Sequence, residues 1–464
     1  MSAPAPDKPT PRLTPTPGSG AGVSALRPIA LRPMVDRPRV SVLLTSHNYG
    51  RYVEAAIDSV LGQGYRDLEL IVVDDGSTDD SRQRIRRRAA RDGRVVLIEQ
   101  TNQGMAAALN AGFARSRGEV VCLLDADDCF RPDKLERVVD YFAQHPRTGM
   151  LQHPLQVVDA AGRPVQVIPF LSRLERGWLA PTVLRRGGRW SCMPTSALSF
   201  RREVARWLLP IDARRYWISA DALLFTVGPL LSRVGVIDQP LAEYRVHGRN
   251  HMSSGRVDRQ ELRKRLRSYH DTLTGSNQHI RELGLAVPRL EARDHVLYRE
   301  QLFALSMLRN RRAGVWRRYA ALVAALWRDD MYGLAQKGLA LPVYGLLPLL
   351  PPRCRGPWLD RVRTYGRLKA TAQALLGTTK DKRPTRDPAE DGEVFGVGTG
   401  GGPSQVGPVD ANNSGQAAGT GGAEHAVTWA EPFVEHATAG QGVALRGDVA
   451  PRGGGAAAME VEAS

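Results

Sequence analysis

Between Val40 and Leu124 the chain alternates short aliphatic runs with segments of helical spacing, and that alternation leaves few folds open. Val40-Ser41-Val42-Leu43-Leu44, Leu68 to Val73, Val95-Val96-Leu97-Ile98 and Val120 to Leu124 are too short for helices and rich in β-branched or aliphatic residues. They read as strands buried on both faces. Tyr52 to Leu61, Thr78 to Arg91 and Met105 to Ser116 lie between them with the apolar spacing of helices. Strands separated by helices pair in parallel, which predicts an α/β fold with a doubly wound, mostly parallel sheet. In such sheets ligands bind beyond the carboxyl ends of the strands. Two of those ends are acidic: Asp74-Asp75 after the second strand, and Asp125, Asp127 and Asp128 after the fourth.

Three carboxylates so close raise one another's pKa unless a cation compensates, and Mg²⁺ and Mn²⁺ favour carboxylate and phosphate oxygens. A metal-diphosphate site is one reading. The plainer one is that Asp128 or a neighbour caps the helix beginning near Arg131-Pro132-Asp133-Lys134; a cap accounts for one aspartate, not three. In the second turn, Gly76 permits a tight reversal, Ser77 or Thr78 can cap the next helix, and Asp75 can accept a hydrogen bond from a base N–H or a ribose hydroxyl. In the first turn, Thr45-Ser46-His47-Asn48-Tyr49, small polar side chains and an imidazole can contact a base, or Ser46 and Asn48 can merely shape the turn.

From Met150 the pattern shifts to short strands with loops, at Leu151 to Val158, Pro164 to Pro169 and Ala197 to Phe200, as expected of a mixed second half that receives another substrate. A further strand is expected at Val234 to Ile237. Helical spacing returns at Val257 to Leu283 and runs with breaks to about Gln373. Within it, Trp316 to Trp327 sets Val315, Tyr319, Leu322, Val323 and Leu326 on one face, with Arg317, Arg318 and Arg328 flanking. Such a helix packs on a neighbour or lies on a membrane surface. The apolar stretch Gly338 to Leu350 is broken by Pro342 and Pro348 and is too short to span a bilayer. The proline-rich residues 1–37 are expected to be a disordered leader, and residues 376–464, dominated by Gly, Ala, Ser and charged residues, a disordered tail.

Net charge is +16, which raises nucleic acid as a partner. The basic residues are spread over several helices, however, and no helix-turn-helix, zinc-finger or aromatic RNA-binding pattern occurs, so nucleic acid is not expected. Polyphosphate ligands and anionic lipid suit the charge equally. Cys122, Cys129, Cys192 and Cys354 form no CxxC pair and suggest a reducing compartment. No signal peptide pattern is visible in the first 38 residues. The expectation is a cytoplasmic protein, free or held peripherally at the inner face of the cell membrane.

The stretch VSVLLTSHNYGRYVEAAIDSVLGQGYRDLELIVVDDGSTDDS, followed by NQGMAAALNAGFARSRGEVVCLLDADD, resembles the nucleotide-sugar half of the glycosyltransferase family 2 enzymes, which have the GT-A fold. The likeness runs from about Val40 to His247, with several motifs in family order. It implies a GT-A domain over 38–255, followed by a helical region over 256–375. It implies that Thr45 and His47 lie against the base, that Asp75 binds uracil or ribose, and that Asn102 and Gly104 belong to the loop near the nucleotide. Asp125 and Asp127 would form the DXD element, Asp125 nearer the ribose and Asp127 on a Mn²⁺ or Mg²⁺ ion, with Asp128 able to share the metal.

Farther on, Trp217-Ile218-Ser219-Ala220-Asp221 occupies the place of the family's acidic pair, with Ala220 replacing the first acid; Asp221 is the implied catalytic base. Tyr244-Arg245-Val246-His247-Gly248-Arg249-Asn250 resembles the family's Tyr-Arg-x-His segment, with Arg245 or Arg249 as a clamp on the diphosphate and His247 as a metal or phosphate contact. Trp190 to Ser196 is expected to be an acceptor-side loop from its position. The implied activity is inverting transfer from a nucleotide-sugar, most simply a UDP-sugar, to a hydroxyl of a glycan or lipid-linked glycan. Two rivals stay open. One is a nucleotidyltransferase-like enzyme, against which the absence of a glycine-rich phosphate loop counts. The other is a catalytically silent scaffold binding glycan or membrane, which Ala220 favours.

Overall fold

The computed structural model describes residues 26–168, 174–216, 220–247, 259–308 and 314–359, with the backbone alone at 335, 336 and 339. The strands β1 (Val40–Ser46), β2 (Leu68–Asp75), β3 (Val95–Gln100) and β4 (Val120–Asp125) alternate with the helices α1 (Val53–Leu61), α2 (Ser81–Ala89) and α3 (Met105–Arg115). Pairing is parallel from β3 through β2 and β1 to β4. β1 lies at the centre of this group, and apart from half-buried Thr45 every residue in it is buried. Helix α1 turns Val53, Ala56, Ile57 and Val60 inward at the spacing of one helical face.

Register decides where the acids fall. Thr45 sits opposite Asp125 on β4, and Ser46 sits opposite Asp74 on β2. The two acidic turns therefore flank the end of one strand.

The second half completes the sheet. After β5 (Cys129–Phe130) and α4 (Lys134–Gln144) come β6 (Thr148–Gln152), β7 (Leu155–Val158), β8 (Pro164–Ile168), α5 (Ala180–Arg185), β9 (Ser199–Arg201), α6 (Arg202–Leu208), α7 (Ala220–Leu231), β10 (Arg233–Val236) and β11 (Ala242–Arg245). The large sheet has seven strands in the order β10-β6-β9-β4-β1-β2-β3, and a smaller one has four in the order β5-β11-β7-β8. β9 runs antiparallel to both β4 and β6, so the sheet is mostly but not wholly parallel. The expected single strand from Leu151 to Val158 is two strands in two different sheets. Pro154 between them has no N–H to give a ladder, and the chain leaves one sheet there and enters the other.

The leader also differs from expectation where it is described. Ile29, Leu31 and Met34 pack on the main core, the Ile29 amide donates to the Leu231 carbonyl at 2.8 Å, and the Arg32 amide donates to Glu203. Spaced apolar residues let this segment cover the sheet domain despite its prolines. Residues 1–25 and the expected tail lie outside the described residues.

The helices α8 (Arg259–Glu282), α9 (Val296–Leu308), α10 (Val315–Arg328) and α11 (Leu334–Leu346) follow. Leu273 and Ile280 of α8 belong to the main core, whereas Leu262 and Tyr269 belong to a second cluster built with α9 and α10. One long helix thus serves two cores. Among the described residues no helix is long and apolar enough to cross a membrane.

Candidate active site

β1 ends in the turn that carries His47 and Asn48. Asn48 takes a positive φ of 61°, a conformation asparagine tolerates better than most residues. Its amide donates to Ser77 Oγ at 2.9 Å, and its side-chain oxygen accepts from the Thr78 amide at 2.8 Å. Ser77 and Thr78 thus tie the first turn to the second. They do not cap α2, whose N-cap position is Asp80 and carries no side-chain cap. His47 Nδ1–H donates to the Asp75 carbonyl at 2.7 Å, which leaves Nε2 to accept from the amides of Asn48 at 3.1 Å and Asn102 at 3.3 Å. His47, Asp75 and Asn102 therefore form one unit.

Asp75 is buried at the end of β2. Its carboxylate accepts from the Gln103 and Gly104 amides, both at 2.8 Å, and from Gln100 Nε2 at 2.7 Å. It fastens the loop that opens α3, and a base or ribose would use whatever acceptor capacity those donors leave. Gly76 makes the fit possible: at φ +71° a side chain is strained, and a Cβ there would lie 2.5 Å from the Asn102 nitrogen.

The acids beyond β4 take three different environments. Asp128 is held by the protein through both oxygens: one accepts from Ser196 Oγ at 2.5 Å and the other from the Arg245 amide at 2.9 Å. It therefore joins β4 to β11; it does not cap α4, whose N-cap position is Asp133. Asp127 faces His247, with 3.0 Å from Nε2 to the carboxylate. The His247 ring stacks on Tyr52 at 4.8 Å between centroids and meets Tyr49 edge-on at 6.0 Å.

Asp125 is close enough to Asp127 and Asp221 to feel both charges. Burial first, then the charges of Asp127 and Asp221, hold its carboxyl well above the usual range. Asp128 is raised likewise by burial, Asp127 and Asp125, against the pull of its Ser196 and Arg245 hydrogen bonds. The phenol of Tyr49 is pushed up as well, by burial and then by Asp127, Asp125 and Asp128.

Asp221, in the first turn of α7, is buried, and Thr195 Oγ1 reaches its carboxylate at 3.5 Å. Ala220 beside it is fully buried. Trp217, Ile218 and Ser219, which precede α7, and Gly248, Arg249 and Asn250, which follow His247, lie outside the described residues. Among the described residues no three His, Cys, Asp or Glu side chains form a ready metal cage. A Mg²⁺-type site does not require one, because such ions take one or two protein ligands and fill the rest with phosphate oxygens and water. Asp127 and His247 fit that donor set.

One expectation needs correction. Arg245, expected as a diphosphate clamp, donates its Nε to the Asp127 carbonyl at 2.9 Å and Nη1 to the Asp159 carbonyl at 3.4 Å, with the guanidinium carbon 5.2 Å from the Tyr52 ring centre. The buried guanidinium is drawn to the carbonyls of the turns around it. Trp190 to Ser196, expected to be an acceptor-side loop, is buried throughout and backs the acids. Its anchor is Trp190 Nε1, which donates to the Phe225 carbonyl at 2.7 Å.

Ser196 is the residue that sequence reasoning missed. Besides holding Asp128, it accepts the Asp125 amide at 3.1 Å, and its own carbonyl takes a hydrogen bond from Lys134 Nζ at 2.7 Å. No local motif marks a serine that lies about 70 residues from both acids it organises.

Residues 41–208 match the sequence profile named Glycosyl transferase family 2. An uncharacterised glycosyltransferase of Nostoc sp. is 37% identical over 228 residues, which cover 49% of this chain and 70% of that protein. Among solved structures, S. aureus TarS 1–349 in complex with UDP-GlcNAc is similar at 16% identity and a TM-score of 0.42, over 73% of this chain and 92% of that one. The mannosyltransferase PcManGT of Pyrobaculum calidifontis in complex with GDP-Man and Mn²⁺ is similar at 20% identity and a TM-score of 0.38, over 76% and 90% of the two chains.

Proposed function

The chain belongs to glycosyltransferase family 2, and from that premise we propose that it moves a sugar, with inversion, from a UDP-sugar to a hydroxyl of a glycan or lipid-linked glycan. The observation that carries this reading is that Asp125 feels the charges of both Asp127, which pairs with His247, and Asp221, which brings the expected metal ligand and the expected base to one site. A donor bound at these acids would have Asp221 as a proton acceptor and Asp127 with His247 at the diphosphate.

The roles divide accordingly. Thr45, His47, Asn102 and Asp75 receive the base and ribose, and Asp125 takes a ribose hydroxyl. Asp127 and His247 would hold a Mn²⁺ or Mg²⁺ ion, which when bound offsets charge building on the leaving diphosphate. Arg245 keeps the Asp127 turn in place through its carbonyl. Asp221 takes the proton of the acceptor hydroxyl as that oxygen bonds to the anomeric carbon and the bond from that carbon to the diphosphate oxygen breaks.

The test is a split between binding and turnover, in the full chain with Mn²⁺ and a panel of UDP-sugars. Asp221→Asn is expected to release nucleoside diphosphate about 10²–10⁴-fold more slowly than the wild type, with donor affinity within about twofold. Asp127→Asn is expected to lose both. A loss of donor affinity in Asp221→Asn as large as in Asp127→Asn contradicts the assignment. A wild type that releases no nucleoside diphosphate from any donor contradicts the enzyme and favours the scaffold.

A further inference from the structure

Helix α10 has two apolar sides, and only one of them is used. Val315, Leu322, Ala325 and Leu326 are buried in the second core. Trp316 and Trp327 lie eleven positions apart, close to three turns at ~3.6 residues per turn, so they share another side, and they are 54% and 59% exposed. Ala320, between them on that side, is exposed too.

Helix α11, which meets α10 where Lys337 Nζ lies 5.8 Å from the Trp327 ring centre, adds exposed apolar side chains. Leu334 is 78% exposed and Leu346 49%, and Leu349 just beyond the helix is 70% exposed. No described apolar side chain within α11 is fully buried, which is unusual for so apolar a helix. The two helices are fastened to each other: Tyr319 Oη donates to the Leu341 carbonyl at 2.8 Å, and Lys337 Nζ to the Trp327 carbonyl at 2.9 Å. Of the eight large hydrophobic residues exposed among the described residues, five lie in this one stretch, so the apolar surface is concentrated and not scattered.

Charge selects the occupant. In α2 every arginine has a carboxylate within 4.0 Å, at Glu54, Asp58, Asp74, Asp80 or Glu99. Arg317 is exposed and borders the tryptophan stripe about a quarter-turn away, whereas half-buried Arg318 lies on the opposite side of the helix; among the described residues Arg317 forms no ion pair with a carboxylate. A second copy seated here across a two-fold axis would bring its own Arg317 to the same face. A membrane surface offers apolar depth for the tryptophans and phosphate for Arg317. Spanning is not an option: the 13 residues of α11 reach ~20 Å at ~1.5 Å each, against a hydrocarbon thickness of ~30 Å. We propose that the outer face of α10 and α11 docks on an anionic lipid surface, with Trp316, Trp327, Leu334, Leu346 and Leu349 entering the interface and Arg317 meeting lipid phosphate. The proposal stands on this face alone and survives whether or not the transfer chemistry is as assigned.

The experiment is co-sedimentation of the full chain with vesicles of phosphatidylcholine containing about a third phosphatidylglycerol, alongside pure phosphatidylcholine. The wild type is expected to pellet with the mixed vesicles and more weakly with the neutral ones. Trp316→Ser/Trp327→Ser is expected to lose affinity at least about tenfold, with an unchanged melting temperature and unchanged nucleotide-sugar turnover. Arg317→Gln is expected to lose about fivefold, and only on anionic vesicles. Failure of the wild type to pellet, tryptophan variants that pellet as it does, or a dimer that the tryptophan variant converts to monomer would each overturn the proposal.

Discussion

Lys134 props the acidic rim from below. Its buried ammonium donates to the Ser196 carbonyl and sits 3.6 Å from the centre of the Phe130 ring. Burial pulls its pKa down to about 7, with Cys122 and Asp128 pulling the other way. In the unfolded chain a lysine titrates near ~10.4, so between about pH 7 and about pH 10 the unfolded state holds more protons. The cost of burying this charge is present in full below about pH 7 and falls away as pH rises through that window. Urea unfolding from about pH 6 to about pH 10 should therefore show the wild type gaining stability relative to Lys134→Met as pH increases; parallel profiles would contradict the buried ammonium. Little of this was legible in the sequence, where Asp133-Lys134 reads as an ordinary first helical turn. Asp128 is similar. Its place in the acidic run admits metal binding or capping, and only the distant partners Ser196 and Arg245 show that it ties the turn after β4 to β11.

At the scale of elements, β1 to β4 and the helices between them were legible because strands buried on both faces leave continuous aliphatic runs. Their ends were legible for the same reason, since an acid cannot continue such a run without a partner. The smaller sheet was legible only in part: β8 and the stretch holding β7 show as strands, but β5 and β11 are short and pair across long separations, and the break at Pro154 sits inside what looks like one strand. The second turn shows how element ends become a site. Gly76 lets the β2 turn close on Asn102, and Asp75 ties down the next two amides. Gly76→Ala should lower stability by about 1–3 kcal/mol and weaken UDP binding, because the new Cβ pushes on the loop that holds the His47 ring. Unfolding curves and a UDP titration check both, and wild-type values in each would show that the loop has room to yield.

Across the whole molecule, the sheet domain and the helical region are bolted by a cluster of charges. Arg189 Nη1 donates to Asp329 at 2.6 Å, and Arg186 bonds Asp330 at 2.6 Å and Glu175 at 2.9 Å; Arg186, Arg189 and Asp329 are all buried. Removing one partner of a buried pair typically costs about 3–5 kcal/mol, so Asp329→Ala should destabilise the chain by that order in urea; a loss below about 1 kcal/mol, the range of an exposed pair, would mean the cluster is solvated. The segment after Arg189 runs directly to Ser196, so the same bolts support the floor of the acidic rim. The claim on which the rest depends is that this rim holds a divalent cation together with a nucleoside diphosphate. Calorimetric titration of UDP into the full chain, with Mn²⁺ and then with EDTA, tests it most directly. The account predicts that chelation weakens UDP binding at least about tenfold and that Asp127→Asn erases the difference. Equal affinity with and without the metal, or a metal-dependent gain that survives in Asp127→Asn, would contradict it.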